Sequence, residues 1–326
     1  MASHDHGAAA AVRRRSVPAL AAVAVAVACA VPALTASAPA SAQADRSPAG
    51  QARTKPLIVA HRGGTGDFPE NTLLAVSESL KAGADGEWLS VQASKDGVPV
   101  LYRPTDLSAL TDGSGPVADK TLDELDELNA GYSFKGPDGS YPYRARPLRI
   151  PTLEAALAAV PAGKQIYLDL KQTPARHVVD AVTRVLDEQQ AWGRVKLYST
   201  DAEVTGLLSR VPGAQVAESR DATRQRLAEV ALEHACKSAP PAGSWAGFEL
   251  ERRMTLQEKF TLGTGEAAVT AQLWTPESVG CFRSRSARTP IVMIGINTAA
   301  DLRTAARLGA TAVLVDSPRS LKQAAS

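Results

Sequence analysis

Cysteine and histidine are scarce in this chain, whose 326 residues include three Cys and five His and no pair of cysteines spaced as CxxC. That scarcity excludes a zinc ribbon or a disulfide-dense scaffold, so any bound metal ion would need oxygen ligands. An excess of one charge is also lacking, because 36 Lys and Arg stand against 34 Asp and Glu. With no strong field of one sign, we expect no nucleic acid as a partner.

The first 44 residues have the layout of a secretory signal peptide. Three arginines precede an apolar run over Val17 to Leu34, and three overlapping A-x-A sequences follow between residues 36 and 44. We predict that residues 1–44 are removed on export, which makes the protein secreted and leaves no stable membrane span. Two alternatives are a retained membrane anchor, which two prolines in the run disfavour, and a lipid-modified Cys29.

Cleavage after this segment would leave two cysteines, Cys236 and Cys281, in an oxidising compartment. We predict a disulfide between them that closes a loop of about 45 residues and contributes roughly 3 to 4 kcal/mol. Two separate buried thiols are the alternative. Residues 45–55 are polar and poor in bulky apolar groups, which is typical of a flexible tether, and one domain is expected over 56–326.

That domain alternates short β-type runs with helical patterns. Leu57 to Ala60 is followed by a helical pattern over about Thr72 to Ala82, and Ile166 to Leu170 by one over about His177 to Gln189. Repetition of this alternation over roughly 270 residues predicts an α/β fold, a parallel sheet closed as a (β/α)8 TIM barrel. The irregular stretch over residues 111–150 is expected to form an insertion beside the first barrel loops.

Two motifs flank the first predicted loop of this barrel. His61-Arg62-Gly63-Gly64 ends the first strand, and Pro69-Glu70-Asn71-Thr72 precedes the first helix. With the further motifs given next, the chain resembles the glycerophosphodiester phosphodiesterase family from about Leu57 to Leu321. These motifs are Gly83-Ala84-Asp85, Lys95-Asp96-Gly97-Val98-Pro99-Val100, Thr111-Asp112-Gly113, Ile150-Pro151-Thr152-Leu153-Glu154, Leu168-Asp169-Leu170-Lys171 and Val315-Asp316-Ser317-Pro318.

The resemblance implies a TIM barrel of lipid metabolism that hydrolyses glycerophosphodiesters to glycerol 3-phosphate and an alcohol. It implies a divalent cation, Ca²⁺ or Mg²⁺, held by carboxylates, and two His that act as general acid and base. On this resemblance, His61 corresponds to the first catalytic His and Arg62 to its neighbour. Glu70 and Asn71 match the second motif and are assigned with Arg62 to the substrate, while Asp169 matches an acidic metal ligand that precedes Lys171.

The strand after the GAD motif departs from the family. An ungapped alignment puts Trp88 and Ser90 where the resemblance expects a Glu and an Asp as metal ligands. Strand alternation supports this register, because it turns Leu89 and Val91 toward the helices and Trp88 and Ser90 toward the lumen. Glu87 could supply the carboxylate only if the strand slipped by one residue. The cation's ligand set is therefore incomplete, with Asp169 as a weak candidate.

The second catalytic His is also replaced, since Arg103 occupies its position. Arginine does not exchange protons near neutral pH, but its guanidinium suits bidentate contact with phosphate. We expect Arg62, Arg103 and Lys171 to form a clamp for a phosphate ester, or else the arginines to pair with carboxylates such as Glu70 or Asp169. Three hypotheses remain: an active phosphodiesterase with His61 as acid/base, a non-catalytic pseudoenzyme that binds phosphate esters, and metal-independent chemistry on a phosphate ester.

Overall fold

A computed structural model describes residues 55–325 of the chain. The predicted signal peptide, residues 1–44, and residues 45–54 of the predicted tether lie outside the described residues. The strands are β1 (Leu57–His61), β2 (Gly86–Ala93), β3 (Pro99–Leu101), β4 (Gln165–Leu170), β5 (Val195–Tyr198), β6 (Gln215–Val216), β7 (Ala246–Glu249), β8 (Glu251–Phe260), β9 (Gly263–Gln272), β10 (Ile291–Ile294) and β11 (Ala312–Val315). The helices are α1 (Leu73–Lys81), α2 (Leu122–Asp126), α3 (Leu153–Ala159), α4 (Ala175–Glu188), α5 (Ala202–Leu208), α6 (Arg220–Glu233), α7 (Pro276–Phe282), α8 (Ala299–Leu308) and α9 (Pro318–Ala325).

Eight parallel strands form the barrel, in the order β6-β5-β4-β2-β1-β11-β10-β7. A parallel bridge between Ala217, after β6, and Trp245, before β7, joins the two ends of this sheet. The Glu218 amide donates a hydrogen bond to the Trp245 carbonyl at 2.8 Å, which reinforces the closure. The predicted α/β barrel is confirmed.

Helix boundaries follow the capping residues. The Thr72 hydroxyl accepts a hydrogen bond from the Ala75 amide at 3.1 Å, which starts α1 at Leu73 within the predicted range. The predicted helix after the fourth strand begins at Ala175, two residues earlier than expected, with Pro174 at the capping position. Proline fits this boundary because its ring fixes φ near the helical value and it has no N–H to leave unpaired.

The two faces of the sheet form separate apolar clusters. Leu89, Val91 and Leu168 pack with α3 and α4 on the outer face. Trp88 and Tyr167 belong to a different cluster inside the lumen. Alternate residues of β2 thus face opposite sides of the sheet, as the period of two requires.

The insertion packs on a small apolar cluster of its own. Its members come from β3, from the loop after it and from the stretch that contains α2, and they are Val100, Tyr102, Leu107, Val117, Leu125, Ala130 and Ile150. Thr121 and Glu124 form a capping box at the start of α2, so even this short helix begins at a defined residue. The segment lies beside β3, close to the first barrel loops.

A β-hairpin that the sequence patterns do not reveal interrupts the barrel after β7. Strands β8 and β9 pair with each other over ten residues each, and in the described chain they pair with no other strand. Leu262 at its tip is 99% exposed. The disulfide between Cys236 and Cys281, with 5.4 Å between their Cα atoms, brackets this hairpin. From residue 55 to 325, no helix is long and apolar enough to span a membrane.

Candidate active site

His61 lies at the carboxyl end of β1, where its ring contacts two charged side chains. Nδ1 is 2.7 Å from Oδ1 of Asp316, and Nε2 accepts a hydrogen bond from Nε of Arg62 at 3.1 Å. The pairing of β1 with β11 brings the two strand ends together and so places Asp316 beside His61. Because a carboxylate can only accept, Nδ1 carries the proton and Nε2 is the basic atom of the neutral ring.

Asp316 is itself held on both oxygens. The Thr65 hydroxyl donates to Oδ1 at 3.0 Å, and the Asn297 amide donates to Oδ2 at 2.7 Å. The hydrogen bond with His61, supported by these two donors, lowers the pKa of Asp316 to about 2, against its partial burial. The carboxylate therefore stays ionised at neutral pH and fixes the orientation of the imidazole. Sequence reasoning assigned no role to Asp316, although it lies in the last of the quoted motifs.

Arg62 is turned toward a carboxylate rather than toward open solvent. Its Nη1 donates to Oε2 of Glu70 at 2.5 Å, and both side chains are largely buried. Arg62 has a positive φ of 52°, a conformation that non-glycine residues rarely adopt, and its amide donates to the Trp88 carbonyl at 2.6 Å. For Arg62 the structure thus shows the predicted alternative to the phosphate clamp, an ion pair with Glu70.

Asn71 is buried and links β2 to the loop that carries Glu70. Its Oδ1 accepts a hydrogen bond from the Ser90 backbone amide at 3.0 Å, and its own backbone amide donates to the Arg62 carbonyl at 2.8 Å. Among the described residues, neither Nδ2 of Asn71 nor Oε1 of Glu70 has a hydrogen-bond partner, although both atoms are buried. Asn71 therefore joins β2 to the loop after β1, and Nδ2 of Asn71 and Oε1 of Glu70 are left available to a ligand beside Arg62.

The register of β2 agrees with the expectation from strand alternation. Trp88 and Ser90 face the lumen, whereas Glu87 faces α1 and accepts a hydrogen bond from the Ser79 hydroxyl at 2.6 Å. Burial raises the pKa of Glu87 to about 8, against the Ser79 hydrogen bond and the Lys164 charge, so this carboxyl is mostly neutral at pH 7. Glu87 lies on the wrong side of the sheet to hold an ion in the lumen.

Trp88 packs in the lumen among three other aromatic rings. Its ring centroid is 4.9 Å from that of Tyr198, 5.7 Å from that of Tyr167 and 6.0 Å from that of Trp245. Tilted and edge-to-face contacts at such distances are favourable for aromatic pairs. The space that carboxylates would need for a cation is filled here by indole and phenol rings.

Asp169 pairs in register with Ser90 across β2 and β4. It is 7% exposed, and Nζ of Lys171 lies 3.2 Å from its Oδ1 as an ion pair. Burial raises the pKa of Asp169, while the Lys171 ammonium opposes the rise. Asp169, the lumenal carboxylate that β4 places beside β2, is thus already paired with the Lys171 ammonium.

Arg103 and Lys171 line one cavity at the mouth of the barrel, which measures about 640 Å³. Gln92, Ser199 and Thr200 also line it, and Pro116 and Ala118 of the insertion complete one wall. His61, Arg62 and Asp169 are not part of its lining. The structure therefore brings two members of the predicted clamp together and places the third, Arg62, in the adjoining polar network.

These donors do not fit a hard divalent cation, which prefers six or more oxygens with several carboxylates among them. Asp169 is engaged by Lys171, Ser90 offers a neutral hydroxyl and Trp88 offers no oxygen. Within residues 55–325, no group of three His, Cys, Asp or Glu is arranged to hold a metal ion. Asp169 remains a candidate only as a single ligand.

Known proteins resemble this chain in sequence and in structure. The model of the glycerophosphoryl diester phosphodiesterase family matches residues 61–320. The Mycobacterium tuberculosis protein Rv2277c is 53% identical over 281 residues, which are 86% of this chain and 93% of that protein. The crystal structure of its glycerophosphoryl diester phosphodiesterase domain superposes with a TM-score of 0.77 at 52% identity, covering 82% of this chain and 98% of the other.

A more distant structure shares the fold alone. It is an Oleispira antarctica phosphodiesterase in complex with its product sn-glycerol-3-phosphate, with a TM-score of 0.58 at 21% identity. The match covers 82% of this chain and 96% of the other. Mouse glycerophosphodiester phosphodiesterase 1 is 37% identical over 120 residues, which are 36% of this chain and 35% of that protein.

Proposed function

The chain belongs to the glycerophosphoryl diester phosphodiesterase family, and from that membership we propose that it hydrolyses glycerophosphodiesters at the mouth of its barrel. The observation that carries the proposal is the contact of His61 with Asp316, at 2.7 Å between Nδ1 and Oδ1. It presents a basic ring nitrogen at the carboxyl end of β1, where barrel enzymes place their chemistry. The glycerol 3-phosphate bound to the distant Oleispira relative supports a phosphate ester as the ligand.

In this mechanism His61 accepts at Nε2 the proton of the attacking hydroxyl or water as that oxygen bonds to phosphorus. The P–O bond to the alcohol breaks, and the His61 imidazolium returns the proton to the departing alkoxide. Asp316 holds Nδ1 and stabilises the imidazolium that forms, and the other oxygen of Asp316 is fixed by Asn297. Nε of Arg62 donates a hydrogen bond to Nε2 of His61 at 3.1 Å. This hydrogen bond must break before Nε2 can accept the proton. Glu70 holds Arg62 by their ion pair, and Arg62 in turn holds the His61 ring through the contact of its Nε with Nε2.

Purified protein lacking residues 1–44, incubated with glycerophosphocholine, tests the activity directly. Release of glycerol 3-phosphate is expected, and it should disappear in the His61→Ala variant. Each reaction is run with Ca²⁺, with Mg²⁺ and with chelator. An active His61→Ala variant would remove His61 from the mechanism, and no turnover by the wild-type protein under any condition would contradict the proposal.

A non-catalytic phosphate-ester-binding barrel is the second candidate. It is favoured by one observation, that Arg103 stands where the resemblance expects the second catalytic His. Arginine keeps its proton near neutral pH, so Arg103 cannot act as the general acid or base that the second His would be. Ligand binding without turnover in the same assay would favour this function.

We also propose that the protein is exported and that residues 1–44 are its signal peptide, on the layout of that sequence. Expression of the full chain with a C-terminal tag, followed by N-terminal sequencing of the protein in the culture medium, tests this. The mature chain is expected to begin close to Asp45. Retention of the intact N-terminus in the membrane fraction would contradict it.

A further inference from the structure

The mouth cavity carries more positive than negative charge. Arg103 and Lys171 line it against one carboxylate, Asp201. Oδ1 of Asp201 already accepts a hydrogen bond from the Glu203 amide at 2.7 Å, as the cap of α5. The cavity therefore favours an anion.

Arg103 is the cation of this cavity that is free to bind. Between residues 55 and 325 its side chain has no hydrogen-bond or ion-pair partner. Its backbone is nevertheless fixed, because the buried amide of Gln92 donates to the carbonyl of Pro104 at 2.7 Å and to that of Tyr102 at 3.3 Å. Gln92 thus holds the residues on both sides of Arg103 and presents its guanidinium to the cavity.

Lys171 is oriented by two neighbours and retains one donor. Its Nζ lies 3.2 Å from Oδ1 of Asp169 and donates to the Thr200 hydroxyl at 3.1 Å. An ammonium has three protons, so one remains for a ligand in the cavity. This contact pairs Lys171 with Asp169, so Arg103 is the lining cation that no carboxylate of the described residues contacts.

We propose that Arg103 and Lys171 form a metal-independent subsite for the phosphoryl group of the ligand, and that they supply the positive charge that a divalent cation would otherwise provide. The inference rests on the proposed function for the class of ligand, a phosphate ester. Two observations carry the subsite itself. The side chains of the lumen do not fit a cation, and the Arg103 guanidinium is unpaired while Gln92 fixes its backbone. A planar guanidinium can contact two phosphoryl oxygens at once, and a neighbouring ammonium can neutralise a third.

Calorimetric titration of the purified protein with glycerol 3-phosphate and with inorganic phosphate, in EDTA, tests the subsite. Binding is expected in EDTA and unchanged when Ca²⁺ or Mg²⁺ is in excess. Arg103→Gln should raise the Kd roughly tenfold or more, because a charged hydrogen-bond partner is lost. Arg103→Lys should weaken binding less, since the charge remains while the fork is lost. Arg303→Gln, the same change at an exposed arginine of α8, is the matched control and should leave Kd unchanged.

A second variant tests the support of Arg103. Gln92→Leu should weaken binding while leaving the fold intact by circular dichroism, because the amide that fixes the Arg103 loop is lost. Binding that appears only with added Ca²⁺ or Mg²⁺, no binding at millimolar ligand, or an Arg103→Gln variant equal to wild type would each overturn the subsite.

Turnover of glycerophosphocholine, measured on the same samples, separates the two proposals. Turnover that is abolished by EDTA and unaffected by Arg103→Gln leaves the proposed hydrolysis standing and removes the subsite. Binding that depends on Arg103 in EDTA, without turnover, establishes the subsite and removes the hydrolysis.

Discussion

Two neighbouring regions of the barrel mouth have opposite chemical character. At the ends of β1 and β11, polar side chains form a continuous network in which Asp316 holds His61. Only one strand away, Trp88 of β2 packs against Tyr167 and Tyr198 in the lumen. The contact of His61 with Asp316, which suits proton transfer, thus lies beside aromatic side chains that cannot hold a cation. Because different strands supply the two regions, a substitution in one can leave the side chains of the other in place.

The largest expected effect is on the polar side of this comparison. His61→Ala should lower kcat roughly 1,000-fold or more, since general acid and base groups contribute about 10²- to 10⁴-fold. Glycerol 3-phosphate binding should change little, because His61 contacts Asp316 and Arg62 and not the Lys171 of the proposed phosphoryl subsite. The two quantities are measured by product release and by calorimetry. A variant that loses both equally would mean that the two regions are not independent.

The next effect lies on the aromatic side. Trp88→Ala should lower the free energy of unfolding by about 3 to 5 kcal/mol, because it leaves a cavity among packed rings. Urea denaturation measures the change. Trp192→Ala, at a half-buried tryptophan outside the lumen, is the control and should cost less. A loss below about 1 kcal/mol for Trp88→Ala would mean that the lumen is loosely packed.

Asp316→Asn should reduce kcat by roughly 100-fold, because an amide no longer stabilises the imidazolium and no longer enforces the Nδ1–H tautomer. Asn297→Ala, which removes one support of the carboxylate and keeps its charge, should reduce kcat less. Both variants are measured by product release, and an Asp316→Asn variant as active as wild type would show that the contact with His61 has no role in turnover.

The last comparison concerns the outer face of β2, where Glu87 lies. The pKa of Glu87 is raised to about 8 from 4.5, so the folded state binds a proton that the unfolded state releases in this window. Its stabilising contribution is complete below about pH 4.5 and declines as the pH rises to about 8, by up to ~1.4 kcal/mol per pH unit. Glu87→Gln should remove this decline in denaturation curves recorded between pH 5 and 8. The exposed Glu188→Gln should preserve it, and an equal slope in wild type and Glu87→Gln would contradict the assignment.

The barrel and the facing of β2 could be predicted from sequence because both leave a periodic signal. Leu89, Val91 and Ala93 are apolar at every second position, and burial against α3 and α4 requires that spacing. The predicted positions of Trp88 and Ser90 follow from the same alternation. The motif residues His61, Glu70 and Asp169 lie at strand ends or in the adjoining loops, as local reading of the sequence indicated.

Other features depend on contacts that no local pattern records. Asp316 meets His61 across 255 residues, through a strand pairing that exists only once the barrel closes. The hairpin β8–β9 is exposed over most of its length and so lacks a buried apolar face for the sequence to signal. The preference of Arg62 for Glu70 over open solvent depends on the positive φ that turns its backbone, and nothing in the sequence alone fixes that angle.

The Cys236–Cys281 bond encloses β7, the hairpin and all but the last residue of α7 in one covalent ring. A peptidase that cuts once in the exposed hairpin would open the ring without producing two separable polypeptides. The two fragments would separate only when the disulfide is reduced. Until then the disulfide would join the fragment that contains β7 to the fragment that contains β10. Under the proposed export, a cut near Leu262, which is 99% exposed, would therefore leave both parts of the chain joined.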